Sequence, residues 1–584
     1  MIKKVFKQML AAQILSSMTV MICMIVDSIV IGRFLGVDAM SAYGLANPVL
    51  LIFAAIGSML SGGIQVVCGR FLGNGDRDGT NRCFSASVLF SGVVSVIGVI
   101  LVLALSSPLC VLLGAGSPTP SNEVFHLTED YLRGFIIGAP AFLIAMVMVP
   151  FMQMAGNRIR LIAAVGAMTV CDIAFDLLNV FVFKGGTLGM GLASSASYYV
   201  AMIIGGSCFL TKKSMFRFRI KGITKRLFAD IGKHGVPTLL NQVSTVLLVF
   251  LFNKLLMHYG GNLSVASYSV VSTIGNFCYC FGAGIASVSL MMASMFYSDE
   301  DKKALLTVVR TMTRYSAVII SALTVCILLA APFFVGLFLD DADAFDLAVI
   351  GVRLFSLSLL PSALNAAFKN YFQGVNRTRL TNIISVCQNF AFTALFALIF
   401  TPVIGTTGIW ISWVCGESLV LISIALYVWI KNKRIAFSAE AFSLIPKDFG
   451  ATDDDCLDAT VRTSSEIIQV SEQAEEFCLG RGENVRDSKM IALCIEEMAN
   501  NIVEHGFTKD RRKDHTIDIR LVFKDDKRMI RIRDNCVTFD PVAYMDLHKD
   551  DDPTAHIGIR LVMKMVKDAN YVCTMGLNNL TLVL

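Results

Sequence analysis

Charged side chains are scarce in this sequence. Only 16% of its 584 residues are Asp, Glu, Lys or Arg, against about 25% in an ordinary soluble domain, while 55% are hydrophobic and the mean hydropathy is +0.65. A wholly soluble protein is excluded. The 16 cysteines include no C-x-x-C pair and sit mostly inside apolar runs, so they read as small core residues, with no zinc site or disulfide framework implied. No Walker phosphate loop occurs, which argues against a primary ATP-driven pump. The C-terminal segment is preceded by neither a phospho-accepting His box nor a dimerising helical hairpin, which argues against a sensor histidine kinase. The first apolar run lacks a small-residue cleavage site and leads straight into another, so it is expected to be a retained helix.

What is present is a series of apolar runs of membrane-crossing length. The expected spans are 9–31, 45–71, 84–107, 131–154, 161–183, 188–210, 235–257, 264–296, 313–339, 347–372, 380–402 and 408–430. The fold class is thus an all-α polytopic membrane protein of twelve helices, followed by a soluble α/β tail. Basic residues collect in alternate loops, among them Lys3, Lys4 and Lys7, Arg77 and Arg82, Arg158 and Arg160, Lys302 and Lys303, and Arg377 and Arg379. The loops between them hold only Arg33 and Lys184. That asymmetry puts both termini in the cytoplasm of a cell-membrane protein.

The membrane part repeats itself. Asn157-Arg158-Ile159-Arg160-Leu161 returns as Asn376-Arg377-Thr378-Arg379-Leu380, and Gly36 with Tyr43 stands at the same separation as Gly261 with Tyr268. Two six-helix halves in the same orientation are expected, 1–210 and 235–434, joined by a basic linker at 211–234. Parallel repeats of this kind place the substrate path between them.

Three acidic residues lie inside the first half: Asp27 in the first span, Asp172 and Asp176 in the fifth. Ionisable groups in hydrocarbon usually mark ion or substrate paths. At the helical rise, Asp27 lies roughly 27 Å and Asp176 roughly 22 Å along their spans, a similar depth, and Asp172 and Asp176 share one helix face. Clustered carboxyls repel, so one holds a proton or all share a cation. The second half has Asn241, Gln242, Asn253, Asn276, Asn365, Asn389 and Glu417, which suit helix-to-helix hydrogen bonding as well as substrate contact.

Residues 1–430 resemble the multidrug and toxic compound extrusion (MATE) family of bacteria and archaea. The carriers are Val26-Asp27-Ser28-Ile29-Val30-Ile31-Gly32-Arg33, Asp172-x-x-x-Asp176 and Gly189-Met190-Gly191-Leu192-Ala193-Ser194. The resemblance implies a cation-coupling site at Asp27, Asp172, Asp176 and Ser194, and antiport of amphipathic or cationic compounds against Na+ or H+. Asp172 stands where the family usually has Asn.

After a connector at 435–460 the pattern changes to helix, helix, two strands, helix, two strands over 461–584. On the helix 486–505, Glu497, Asn501 and His505 follow at four-residue steps, a spacing that can set an Asn on a phosphate-bound magnesium and a carboxylate near the γ-phosphate. Downstream come Arg533-Asp534-Asn535-Cys536 and Gly558-Ile559-Arg560-Leu561. In that order these resemble the histidine-kinase-type ATPase fold, in its anti-sigma-factor serine-kinase branch. The resemblance implies Mg-ATP as a ligand, with Glu497 as catalytic base, Asn501 as magnesium ligand, and Asp534 and Gly558 at the nucleotide. Cys536 and His556 replace glycines of the family pattern, which would hinder close approach of the nucleotide.

The expected function is a secondary-active antiporter with a regulatory tail that weakly binds ATP or acts as a kinase. Its partners would be small-molecule substrate, membrane lipid and a cytoplasmic regulatory protein, with no nucleic acid. The alternatives are a membrane signalling protein whose tail is an anti-sigma-like serine kinase or partner-binding module, and a lipid or polysaccharide flippase.

Overall fold

In the computed structural model, the described residues are 2–113, 115, 117, 119, 122–210, 214–219, 221–338, 342–432, 438–446, 449–507, 515–524, 527–547 and 557–584. Among them, eleven helices are long and apolar enough to cross a membrane, and a bent pair supplies a twelfth. The first half contains α1 (Ile2–Val30), α2 (Val37–Gly73), α3 (Arg77–Ala104), the short α4 (Ser106–Leu113), α5 (Glu123–Ile136) with α6 (Ala139–Met154), α7 (Arg158–Leu178) and α8 (Gly186–Ser207). The expected span 131–154 is the bent pair, with α5 and α6 meeting at 48°. Pro140 opens α6, where its missing N–H costs nothing.

The second half begins with one helical run, Lys225–Ser298, broken at Gly261 into α9 (Lys225–Gly261) and α10 (Leu263–Ser298). It continues through α11 (Lys302–Val335), α12 (Asp343–Gly374), α13 (Thr378–Ile404) and α14 (Thr407–Asn432), followed by the short α15 (Ala439–Ser443). Lipid-length helices expose Val93, Ile97, Ile100, Phe250, Val318 and Leu329, side chains that a hydrocarbon solvent tolerates and water does not.

The internal repeat is backbone-deep. Gly36 between α1 and α2 has φ 92° and ψ −178°, and Gly261 between α9 and α10 has φ 61° and ψ −161°. That region of backbone space is almost closed to residues with a Cβ. Caps repeat as well: Asp76 accepts from the Gly79 amide at the start of α3, and Asp301 accepts from the Ala304 amide at the start of α11. In the arginine loops the positive-φ residues are Gly156 and Asn376, so the structural register differs by one residue from the sequence match that pairs Asn157 with Asn376.

The tail is one antiparallel sheet, in the order β1-β2-β3-β5-β4, from β1 (Cys456–Val461), β2 (Ile517–Lys524), β3 (Lys527–Asp534), β4 (Asp568–Thr574) and β5 (Leu577–Val583). The sheet thus starts inside the expected connector: β1 pairs with β2 from Cys456↔Val522 to Val461↔Ile517. As an edge strand with one half-exposed face, β1 has no apolar alternation to announce it. Helices α16 (Ser464–Leu479) and α17 (Val485–Asn501) cover one face, burying Ile519, Leu521, Ile530, Ile532 and Leu582 against Ile467, Ile491 and Ile495. Between β3 and β4 lie α18 (Pro541–Leu547), absent from the sequence expectation, and α19 (Ile557–Met565).

The turn geometry yields a test. Gly261→Ala meets no atom within 4 Å, so its cost is conformational, about 1–3 kcal/mol. Gly166→Ala, also in open space but on a helical backbone, is expected to be neutral or mildly stabilising. Thermal unfolding of the purified protein in detergent compares the two, and equal melting temperatures would contradict the strained-turn assignment.

Candidate functional site

The first half builds an intramembrane acidic site. Asp27 comes from α1 and Asp172 and Asp176 from α7, and the three carboxyl groups are close enough to interact with one another. Asp176 is fully buried. Neither of its oxygens has a hydrogen-bond donor, nor does Oδ1 of Asp27. A cavity of about 140 Å3 reaches the site past Cys23, Asp27, Phe142, Met146, Asp172 and Tyr198. Ser197 donates to Asp172 Oδ1 at 2.9 Å and to the Ser194 carbonyl at 2.8 Å. The hydroxyl that touches an aspartate is therefore that of Ser197, three residues beyond Ser194, whose own side chain is buried nearby. Ser197 was legible only as the next residue on the inward stripe of α8.

The second half builds a different site. Lys369 on α12, missed in the sequence reading although it is the lone lysine of an apolar run, is buried. Its ammonium donates to Asn241 Oδ1 and, at 3.1 Å, to Gln388 Oε1. Gln388 turns its amide nitrogen to Glu417 at 3.2 Å, and Asn365 donates to the same carboxylate at 2.8 Å. Asn389 closes the group by donating to Asn241 at 2.7 Å. The amides thus relay between a fixed cation and a fixed anion, and Glu417 is far from isolated.

Contact between the halves concentrates on the side that carries the tail. There Ser294 donates to the Gln65 carbonyl at 2.7 Å, Ser298 to Asn74 at 2.8 Å, and Arg70 to His234 Nε2 at 3.2 Å. A Cβ on Gly73 would sit 2.3 Å from the Met295 carbonyl oxygen, so α2 and α10 touch along their backbones.

In the tail, a cavity of about 600 Å3 brings Glu497, Asn501, Asp534 and Gly558 together, with His505, Val537, Phe539, Tyr544, Tyr571 and Asn578. Asn501 donates its amide nitrogen to the Glu497 carbonyl at 2.7 Å, which leaves its oxygen for a cation. Asp534 accepts from the Cys536 amide at 2.8 Å and from Asn578 at 2.7 Å, and Tyr571 fixes Asn578 through its hydroxyl at 2.7 Å. Burial pushes the Asp534 carboxyl up, against the pull of those two donors. A Cβ on Gly558 would lie 2.0 Å from Glu497 Oε2, so a side chain here would displace the Glu497 carboxylate. Cys536 has no positive φ and packs toward Gly506; its replacement of glycine takes space without straining the backbone. His556 lies outside the described residues. Size, an apolar wall and a few convergent polar groups fit a nucleotide, and the donor set of Asn501 and Glu497 fits a hard cation bridging phosphates.

The charge relay of the second half yields its own expectation. Lys369→Met leaves Glu417 buried beside neutral amides, at a cost of about 3–5 kcal/mol. Lys369→Met combined with Glu417→Gln recovers much of it. Thermal unfolding of both variants in detergent measures the difference, and an additive double variant would show that the two charges do not depend on each other.

The sequence model described as MatE matches residues 12–178 and 237–399, and the one described as Histidine kinase-like ATPase domain matches 460–584. The "Multidrug export protein MepA" of Staphylococcus aureus strain MSSA476 is 23% identical over 402 residues, 68% of this chain and 86% of the relative. The protein of that name from Staphylococcus saprophyticus is 24% identical over 406 residues, 69% and 88%. Among solved structures, a MATE in complex with MaL6 superposes with a TM-score of 0.70 at 20% identity over 76% of this chain and 98% of the other. The Vibrio cholerae MATE transporter VcmN, solved as a mutant, gives 0.69 at 17% over 74% and 98%. Both likenesses speak to the fold. With the MatE match extending over more than half its length, the chain belongs to the MatE family of transporters, and it carries a histidine kinase-like ATPase domain at its C-terminal end.

Proposed function

We propose that the chain is a secondary-active exporter of small amphipathic or cationic compounds, driven by inward Na+ or H+. The observation that carries this reading is the meeting of Asp27, Asp172 and Asp176 inside the membrane, with oxygens on Asp27 and Asp176 left without donors. Three carboxyls in a low-dielectric site cannot all ionise unaided, so the site takes up a proton or a cation and gives it back when its exposure changes. A receptor that merely sensed a ligand would not need such a group. Relatives named as multidrug export proteins support the substrate class. The halves touch on the tail side, so that side is closed; with the tail cytoplasmic, as the basic loops suggest, the closed side is the cytoplasmic one.

Proteoliposomes loaded with ethidium under an imposed Na+ or H+ gradient test the coupling. Asp27→Asn and Asp176→Asn are each expected to reduce driven export to the rate without a gradient, with expression and insertion unchanged. Wild-type export by either variant would make that aspartate structural.

The tail, in this reading, binds a magnesium nucleotide and regulates the transporter. Adenine would be read by Asp534 and the metal held by Asn501, while Glu497 stands where it could activate a hydroxyl for phosphotransfer. Because an amino group is held better by an ionised acceptor, binding draws the raised Asp534 carboxyl back down. Affinity is therefore full above the raised value and falls as pH drops through it, at a higher pH than an ordinary aspartate would give. Calorimetric titration of the full chain with Mg-ATP is expected to show this acid loss. Asp534→Asn should weaken binding by about tenfold or more, the weight of a charged hydrogen bond, and Asn501→Ala should remove the magnesium dependence. A pH-independent affinity would remove Asp534 from the nucleotide site.

A further inference from the structure

The face of the tail sheet that α16 and α17 leave bare is not free. Strand alternation puts Arg520 of β2 and Arg531 and Arg533 of β3 on it, and the register sets Arg520 directly opposite Arg531. Like charges facing each other across a ladder are unfavourable, so this face needs counter-charge. Asp458 of β1 answers Arg520 from within the sheet, at 2.6 Å, and the turn between α10 and α11 supplies the rest. Arg531 donates to the Asp299 carbonyl at 2.6 Å and pairs with its carboxylate at 3.1 Å, as does Arg533. Arg520 pairs with Asp301 at 2.8 Å, Lys524 with Glu300, and the Arg533 guanidinium lies over the Phe296 ring. Asp299 and Arg533 are buried by the contact. Apart from Asp458, all of these partners belong to the second half.

The other end of the same sheet grips the first half. In the β4–β5 hairpin, the Met575 amide and the Thr574 hydroxyl both donate to the Met154 carbonyl, at 2.7 and 3.0 Å. Arg158 donates to the Met575 carbonyl at 3.1 Å. Met575, Val572 and Leu577 are buried in the same apolar cluster as the transmembrane helices. Arg77 donates to the Tyr571 carbonyl at 2.8 Å and pairs with Asp540, and Asn570 donates to the Gly75 carbonyl. One hydrogen-bonded sheet is thus fixed at one end to the loops α2–α3 and α6–α7, and at the other to the loop α10–α11.

Alternating access in transporters built from parallel repeats is largely a rocking of one half against the other. Opening the tail side would part the very loops that the sheet spans, and a sheet held by its own ladder does not stretch. We propose that the docked tail is an intramolecular clamp that bridges the two halves and holds the tail side of the transporter shut. The clamp must let go at one end before that side opens. Its first-half end is made partly by Asp540 and Tyr571, beside the cavity at Tyr571 and Pro541, so cavity occupancy and clamping are linked. The transport consequence rests on the exporter reading above; the bridging itself does not.

The test releases each end separately in the full-length protein in lipid nanodiscs. Arg531→Glu/Arg533→Glu opposes the acidic turn of the second half, and Arg77→Glu opposes Asp540 while leaving the start of α3 with a charge that its dipole favours. Hydrogen exchange is followed by mass spectrometry at the touching ends of the halves, around Gly69–Asn74 and Ser294–Ser298, with the Ile519–Ile532 core of the tail as folding control. If the sheet is a clamp, both variants speed exchange at both ends on the order of tenfold, within the usual span of coupling between sites, with the tail core unchanged. Exchange confined to the mutated loop, or unchanged throughout, overturns the clamp. Should either variant lose tail-core protection, Asp299→Arg added to Arg531→Glu/Arg533→Glu decides: restored protection at both ends supports the clamp, and restoration at the second half alone overturns it. Ethidium export is measured in parallel and should rise in the released variants; faster exchange without any export would fault the exporter reading and leave the clamp standing.

Discussion

A charge inside hydrocarbon has to be answered by another group, because neither water nor lipid tails will answer it. The two halves share a backbone plan, down to the glycine turns at Gly36 and Gly261 and the caps at Asp76 and Asp301, yet meet this constraint differently. The second half answers Glu417 with its own lysine through Gln388, and with Asn365 as a further donor. The first half leaves oxygens of Asp27 and Asp176 without donors and answers only Asp172, through Ser197. In the second-half site the unanswered atom is a neutral amide oxygen, that of Asn365, whereas in the first-half site carboxyl oxygens are left open. That asymmetry is the physical ground on which the proposed ion site rests in the first half.

Outside the membrane the same rule holds with arginine in the lead. Three guanidinium groups crowd one face of the tail sheet and are neutralised by Asp458 of β1 together with Asp299 and Asp301 of the transmembrane domain. Burial alone would raise the Asp301 carboxyl, but Arg520, Arg533 and the Ala304 amide together hold it below the usual range. The residue thereby caps α11 and anchors the tail at once. A buried ion pair adds little net stability over apolar packing, but removing one partner is costly; such a contact specifies where the tail sits more than how stable the protein is.

Much of this was open to reading in the chain. Runs of apolar residues as long as a bilayer is thick forecast twelve spans, since backbone groups in lipid must be satisfied within each helix, and the glycine and arginine repeats forecast the two halves. Asp27, Asp172 and Asp176 stood out because carboxyls are rare in such runs; Glu497, Asn501, Asp534 and Gly558 stood out by order and spacing, and one cavity now holds all four. Lys369 was passed over because a single lysine in an apolar run shows no partner in one dimension. Strand β1 was passed over because an edge strand needs no apolar alternation.

By itself, then, the sequence determined what depends on neighbours along the chain: span count, orientation signals, repeat, and the residue types of each site. Tertiary structure decided what depends on neighbours across it. It chose Ser197 as the hydroxyl on Asp172, joined Lys369 to Glu417 through an amide, and turned three alternating arginines of two strands onto an acidic turn more than two hundred residues earlier. Such pairings are settled by packing and by the search of each buried charge for a counter-charge, and neither has a signature in local spacing.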